Sequence, residues 1–174
     1  MPTNDPAEAV ETNTNLQTAA LAKRIETFVK QRDFVTFAEL VHHLGVEYPL
    51  EGELSLVTAG DRNLILWAGM SRLFYEAVVE LLHGGQVVPQ PTSILTYLID
   101  GRSLTLRLAQ RPPKSGYKKP HWLPVCLRHR DRLAGWPAPR STSKQSASQR
   151  RSASSSHVSA KLERHGRAGY RSAL

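Results

Sequence analysis

Residues 71–108 read SRLFYEAVVELLHGGQVVPQPTSILTYLIDGRSLTLRL, and the way this stretch folds decides the architecture. Phe74, Ala77, Val78, Leu81 and Leu82 recur at helical spacing, which predicts a helix with one apolar face. Ser71 is suited to cap its start, and Gly84-Gly85 after His83 stops it. Val87 and Val88 begin a strand, which Pro89 and Pro91 confine to an edge or cut short. Residues 94–99 (ILTYLI) and 104–108 (LTLRL) flank Asp100-Gly101-Arg102-Ser103. Asp-Gly between β-rich runs predicts a hairpin. Leu104, Leu106 and Leu108 alternate with Thr105 and Arg107, so one face of that hairpin is expected to be buried.

Upstream, Thr36-Phe37-Ala38-Glu39 has the pattern of a capping box. The threonine hydroxyl can accept from the Glu39 N–H while the Glu39 carboxylate reaches back. Phe37, Leu40, Val41 and Leu44 give a short buried stripe over 37–44, and Gly45 can end it in the left-handed conformation. Leu21, Ile25, Phe28 and Val29 predict an amphipathic helix over about 16–31, and residues 34–35 a short β-like step. Residues 1–15 are polar and acidic and read as a disordered arm. Residues 46–62 carry Gly, Pro and acids and read as a loop, in which Glu47, Glu51, Glu53 and Asp61 are expected to be solvated. Residues 64–67 (LILW) fit either a buried strand or a helical turn. Trp67, Phe74 and Tyr97 are expected in the core.

The charge is unevenly spread. Residues 1–105 hold 7 Lys/Arg and 13 Asp/Glu, a net of −6, whereas residues 106–174 hold 16 Lys/Arg and 2 Asp/Glu, a net of +14. Such asymmetry points to a polyanion partner for the basic part. Residues 111–136 are proline-rich at first and read as an extended basic and aromatic segment that can dock on the domain through Trp122, Leu123 and Val125. Residues 137–174 are rich in Ser, Arg and Ala and read as a disordered basic tail.

The order helix, short strand, capped helix, longer helix, β-hairpin resembles a winged helix-turn-helix domain over about residues 16–110. The residues that carry it are 36–45 as the first helix of the motif, 71–85 as the recognition-type helix, and 87–108 as sheet and wing. The fold class expected from it is α+β: three helices plus a small antiparallel sheet, followed by the tail. Roughly 25 residues separate the two motif helices where the family has a tight turn, so an inserted loop or an extra strand is expected there. The resemblance implies that the third helix enters the major groove and that the wing touches backbone or minor groove. Ser71, Arg72 and Tyr75 then become candidate contacts on the helix and Arg102 in the turn, with Arg72 able to pair with guanine and Ser71 with phosphate. Glu76 and Glu80 share the outer face of that helix and repel phosphates.

Outside the helix the candidate nucleic-acid contacts are Arg107, Lys118, Lys119, Trp122, Arg150 and Arg151. Tyr117-Lys118-Lys119-Pro120-His121-Trp122 interleaves cations with rings, a composition able to stack on bases while lysines meet phosphates. Against this stands the plainer reading, in which Trp122 docks on the domain and the lysines are solvated. Arg140-Ser141, Arg151-Ser152 and Arg171-Ser172 put serines beside arginines, where phosphorylation would subtract positive charge.

No catalytic residue, cofactor site or metal site is assigned. His121, Cys126 and His129 match no zinc spacing, and a fourth ligand is missing. Phosphate-cradling and dinucleotide-binding glycine loops and HExxH are absent from the sequence, so no enzyme is expected. The single cysteine allows no internal disulfide and suits a reducing compartment. No secretory signal and no apolar run of about 18 residues is present, so a cytoplasmic protein without a membrane partner is expected. The expected function is nucleic-acid binding, with DNA ahead of RNA and regulation as a role, through a winged helix and a basic tail. The alternative is a protein-interaction adaptor whose acidic winged helix holds a protein partner while the tail binds a polyanion. The sequence leaves homodimerisation open.

Overall fold

The computed structural model describes residues 6–111, 113–133 and 170–172. In chain order the elements are α1 (Pro6–Arg32), β1 (Val35–Thr36), α2 (Phe37–Leu44), β2 (Glu51–Thr58), β3 (Asp61–Met70), α3 (Arg72–His83) and β4 (Val87–Pro91). They continue with α4 (Ile94–Ile99), β5 (Arg102–Leu104), β6 (Arg107–Leu108), β7 (His121–Trp122), β8 (Val125–His129), a 3-10 turn (Arg130–Leu133) and β9 (Tyr170–Ser172). The class is α+β. One sheet has the order β1-β8-β4 and is antiparallel throughout. A second has the order β2-β3-β7-β6, in which β7 runs parallel to both neighbours.

Three expected helices form where local signals place them. Leu21, Ile25 and Val29 of α1 are fully buried. The helix begins at Pro6, inside the stretch expected to be a disordered arm. Proline suits the first helical position, where its missing N–H would have no partner. Thr36 caps α2, its hydroxyl accepting from the Glu39 N–H at 3.0 Å. The Glu39 carboxylate does not reach back; it takes the Arg32 guanidinium at 2.8 Å. Gly45 ends α2 in right-handed geometry, φ −66°, and not in the expected left-handed one. Ser71 caps α3 and accepts from the Phe74 N–H at 3.1 Å.

Three expectations are corrected. Residues 46–62 are not a loop. Residues 51–58 and 61–70 pair as an antiparallel β2–β3 ladder with several bulges. Leu56 and Ile65 to Ala68 bury their side chains in it, enough apolar area to offset the glycines and acids. Residues 94–99 are not a strand, and the 94–99/104–108 hairpin does not form. Ser93 caps α4 there, accepting from the Leu95 N–H at 3.2 Å. The β-rich composition is overridden because Tyr97 must reach the core: its ring stacks on Trp67 at 5.4 Å and its hydroxyl donates to the Val125 carbonyl at 2.7 Å. Asp100-Gly101 is therefore a helix stop, with Gly101 at φ +80°, a conformation glycine adopts without steric cost. Along 104–108 only Leu104 is fully buried, and Leu108 is exposed.

The third correction concerns the domain boundary at residue 110. β8 is the central strand of the three-stranded sheet, flanked by β1 and β4, so residues 121–129 belong to the folded unit. Within the 111–136 segment, β7 joins one sheet and β8 the other. The expected disordered tail, 137–174, lies outside the described residues except for Tyr170–Ser172, which form a strand against β5.

The core is one cluster centred on aromatic rings. Trp67 stacks on Phe37 at 5.9 Å, and Tyr97 meets Trp122 edge-on at 4.9 Å. The Trp122 indole N–H donates to the Leu66 carbonyl at 3.2 Å, satisfying the polar atom that this burial would otherwise strand. Burial raises the Tyr97 phenol far above the ordinary tyrosine range. No helix among the described residues is long and apolar enough to cross a membrane.

Candidate nucleic-acid interface

The α3 face is poorly equipped for a DNA groove. The Ser71 hydroxyl is occupied as a cap, and its backbone N–H donates to the Leu50 carbonyl at 2.8 Å. Arg72 is exposed, but its Nε donates to the Glu76 carboxylate at 2.7 Å, one turn along. Tyr75 is only 7% exposed and belongs to the core; burial raises its phenol. The remaining exposed polar positions of α3 are Glu80 and His83. Two carboxylates against one paired guanidinium repel a phosphate backbone. Arg102 is likewise taken, its Nη1 standing 2.5 Å from the Glu51 carboxylate.

The second candidate region lies between β4 and β8, where the chain leaves their sheet, contributes β6 and β7 to the other sheet, and returns. From Arg107 to Lys119 the chain holds five cations, Arg107, Arg111, Lys114, Lys118 and Lys119, and no carboxylate. All five are exposed. β6 is the last strand of its sheet, and Arg107 stands in register with His121 of β7. The loop carrying the lysines is pinned by backbone contacts. Asp61 accepts from the Tyr117 N–H at 2.6 Å, and the Asn63 amide donates to the Tyr117 carbonyl at 2.5 Å. Gly116 turns the chain at φ +76°, and a Cβ there would stand 3.1 Å from the Asp61 carboxylate. The Tyr117 ring stacks on His121 at 4.1 Å. Lys118 and Lys119 are therefore the exposed residues between two fixed points, so less side-chain and loop entropy is lost when they meet an anion.

No protein-family model, curated protein or solved structure matches this chain.

The structure sorts the sequence candidates accordingly. Arg107, Lys118 and Lys119 come together on the chain between β4 and β8. Ser71, Arg72 and Tyr75 sit apart from them on α3, each engaged or buried. Trp122 is 0% exposed and cannot stack on a base. Arg150 and Arg151 lie outside the described residues. Asp61, read as a solvated loop acid, is the anchor of the basic loop. Glu51 and Glu47, read likewise, pair with Arg102 and Arg24. No sequence signal marks Asp61, because its partner Tyr117 is 56 positions away.

One further polar centre was invisible in the sequence. The Arg128 guanidinium grips the Asp33 carboxylate with two hydrogen bonds, 2.8 and 2.7 Å, and both side chains are nearly buried, at 11% and 12% exposure. The guanidinium also lies 4.1 Å from the centre of the Phe34 ring. Its hydrogen bond holds the Asp33 carboxyl below the usual carboxylate range. His129 is buried between Glu26 and Asp131, at 3.5 and 3.4 Å. Cys126 is buried on β8, and burial pushes its thiol up. Among the described residues no three His, Cys, Asp or Glu side chains gather as a metal-holding set.

Proposed function

We propose that this chain binds nucleic acid, with DNA ahead of RNA, as a winged-helix protein that works through its wing and its basic tail and not through α3. The observation that carries the reading is the run of five exposed cations without a carboxylate over residues 107–119, fixed to the sheet at Tyr117 and His121. The same sign continues along the chain: residues 134–174 hold eight Lys/Arg and one acid. Neutralising phosphates releases counterions, which gives affinity without sequence preference.

The winged-helix assignment is supported by element order. With β2–β3 set aside as an insertion, α1, β1, α2 and α3 follow the expected order; the expected 87–108 sheet and wing is replaced by the antiparallel pair β4–β8, and we take the intervening residues as the wing. The insertion replaces the tight turn between α2 and α3, and the wing rests on it through β3–β7 pairing. The role is binding, with no catalytic step assigned.

A second reading is favoured by the acidic outer face of α3. There Glu76, Glu80 and the paired Arg72 suit a protein partner, with the wing and tail as the polyanion tether. Retention of the full chain on immobilised duplex DNA or single-stranded RNA at low salt tests the first reading. Retention on DNA, released by salt, is expected; passage through both columns at about 50 mM salt, where such contacts are strongest, would overturn it.

A further inference from the structure

We propose that the edge of β5 and the cleft beside it form an acceptor site for an extended peptide, whose resident occupant is this chain's own strand Tyr170–Ser172. The proposal is independent of the nucleic-acid reading. Among the described residues β5 has a single sheet neighbour, β9, which pairs antiparallel with Arg102 opposite Ser172, Ser103 opposite Arg171 and Leu104 opposite Tyr170. Strand addition of this kind satisfies N–H and C=O groups that an open edge leaves exposed, and it is a recurrent mode of peptide capture.

Two features beside β5 suit an apolar peptide. Helix α4 packs next to the strand and exposes Leu95, Leu98 and Ile99, the last at 85%. A cleft of about 460 Å³ opens between the end of α2 and the start of β5, lined among others by Val41, Val46, Tyr48, Leu50 and Arg102. Ser172 stands opposite Arg102, and Arg102 lines the cleft, so the strand arrives at its rim with Ala173 and Leu174 still to follow. Val46, 92% exposed, gives an aliphatic side chain apolar surface to cover. The chemistry selected is an extended backbone along β5 followed by a small and then an aliphatic residue.

The occupant is held in cis because strand and acceptor share one chain. Thirty-six residues join Leu133 to Tyr170, and such tethering sets an effective concentration that reaches the order of millimolar for short connections. A free peptide of the same sequence must compete against it. The bridging stretch, with seven Lys/Arg and one acid, is then attached to the folded unit at both of its ends.

The test uses the full chain, its Arg171→Pro variant and a labelled peptide with blocked ends spanning residues 166–174. Proline removes a backbone donor and blocks pairing of the resident strand. The Arg171→Pro chain is expected to bind the peptide at least ten-fold more tightly than the unsubstituted chain, and Val46→Asp added to it to weaken binding about ten-fold, a difference of about 1.4 kcal/mol. Ser172→Pro is the second variant, and each must keep the far-UV circular dichroism of the parent. Equal binding to blocked and unblocked chains, or no binding to either, overturns the acceptor site. Unchanged affinity with Val46→Asp overturns the cleft as seat. A dimer of the unsubstituted chain that Arg171→Pro dissolves overturns occupancy in cis.

Discussion

Asp33 and Phe34 both adopt left-handed backbone, φ 59° and 53°. Aspartate tolerates this; for a bulky aromatic residue it is strained. The strain is held in place by Arg128, which takes the Asp33 carboxylate and covers the Phe34 ring, and which sits on the central strand β8. Phe34→Gly and Phe34→Ala both lose the ring contact, but only glycine relieves the backbone. The glycine variant is therefore expected to be more stable than the alanine variant by about 1 kcal/mol in urea unfolding. Asp33→Asn leaves the Arg128 guanidinium without its counterion, and is expected to lower stability at pH 7. The pH dependence has a definite sign. The folded-state carboxyl of Asp33 titrates below its unfolded value, so its contribution is present above about pH 4 and is lost as pH falls through the folded value. The gap in urea midpoint between the parent and Asp33→Asn should shrink on acidification; a gap that widens below pH 4 would contradict the pairing.

At the scale of elements, the helices with an apolar stripe and a cap were legible: α2 and α3 lie where Thr36 and Ser71 place them. Those signals are local, within four residues of each other. What was not legible depends on distant partners. The 94–99 run has β-rich composition, yet it is a helix because Tyr97 reaches Trp67, Trp122 and the Val125 carbonyl, up to 30 positions away in sequence. The 51–70 ladder was hidden by polar residues on the outward face of β2. Leu104 signals burial correctly, but its neighbour strand is β9 and no periodicity announces a partner 66 residues on. Of the candidate site, the cations of 107–119 were visible in composition, whereas their fixation by Asp61 and Asn63 was not. Trp122 separates the two levels most clearly, since it reads as a stacking ring and is a core residue. Trp122→Ala is expected to cost about 3–5 kcal/mol of stability, with weaker nucleic-acid binding only in proportion to unfolding. A loss of binding at full stability, read by circular dichroism and anisotropy together, would return Trp122 to the interface.

For the whole molecule, the division into an acidic part and a basic part holds in charge but not in fold. The basic half begins inside the folded unit, because β8 closes the three-stranded sheet and carries Arg128. Truncation after residue 110 removes β7 and β8 and is expected to abolish cooperative unfolding. Truncation after residue 133 should keep it while removing eight Lys/Arg, and should therefore weaken DNA binding and flatten its salt dependence. Calorimetry of the two truncations separates these outcomes.

The central claim is that phosphates are met by the wing and tail while α3 is turned to other use. It is tested most directly by the salt dependence of duplex DNA affinity for the full chain, Lys118→Glu/Lys119→Glu and Arg72→Glu. The logarithm of affinity falls against the logarithm of salt by about 0.9 for each phosphate neutralised. The double lysine variant should weaken binding and flatten the slope by roughly two units, and Arg72→Glu should leave both affinity and slope unchanged. A slope untouched by the lysine changes, with binding lost in Arg72→Glu on some sequences and kept on others, would contradict the account.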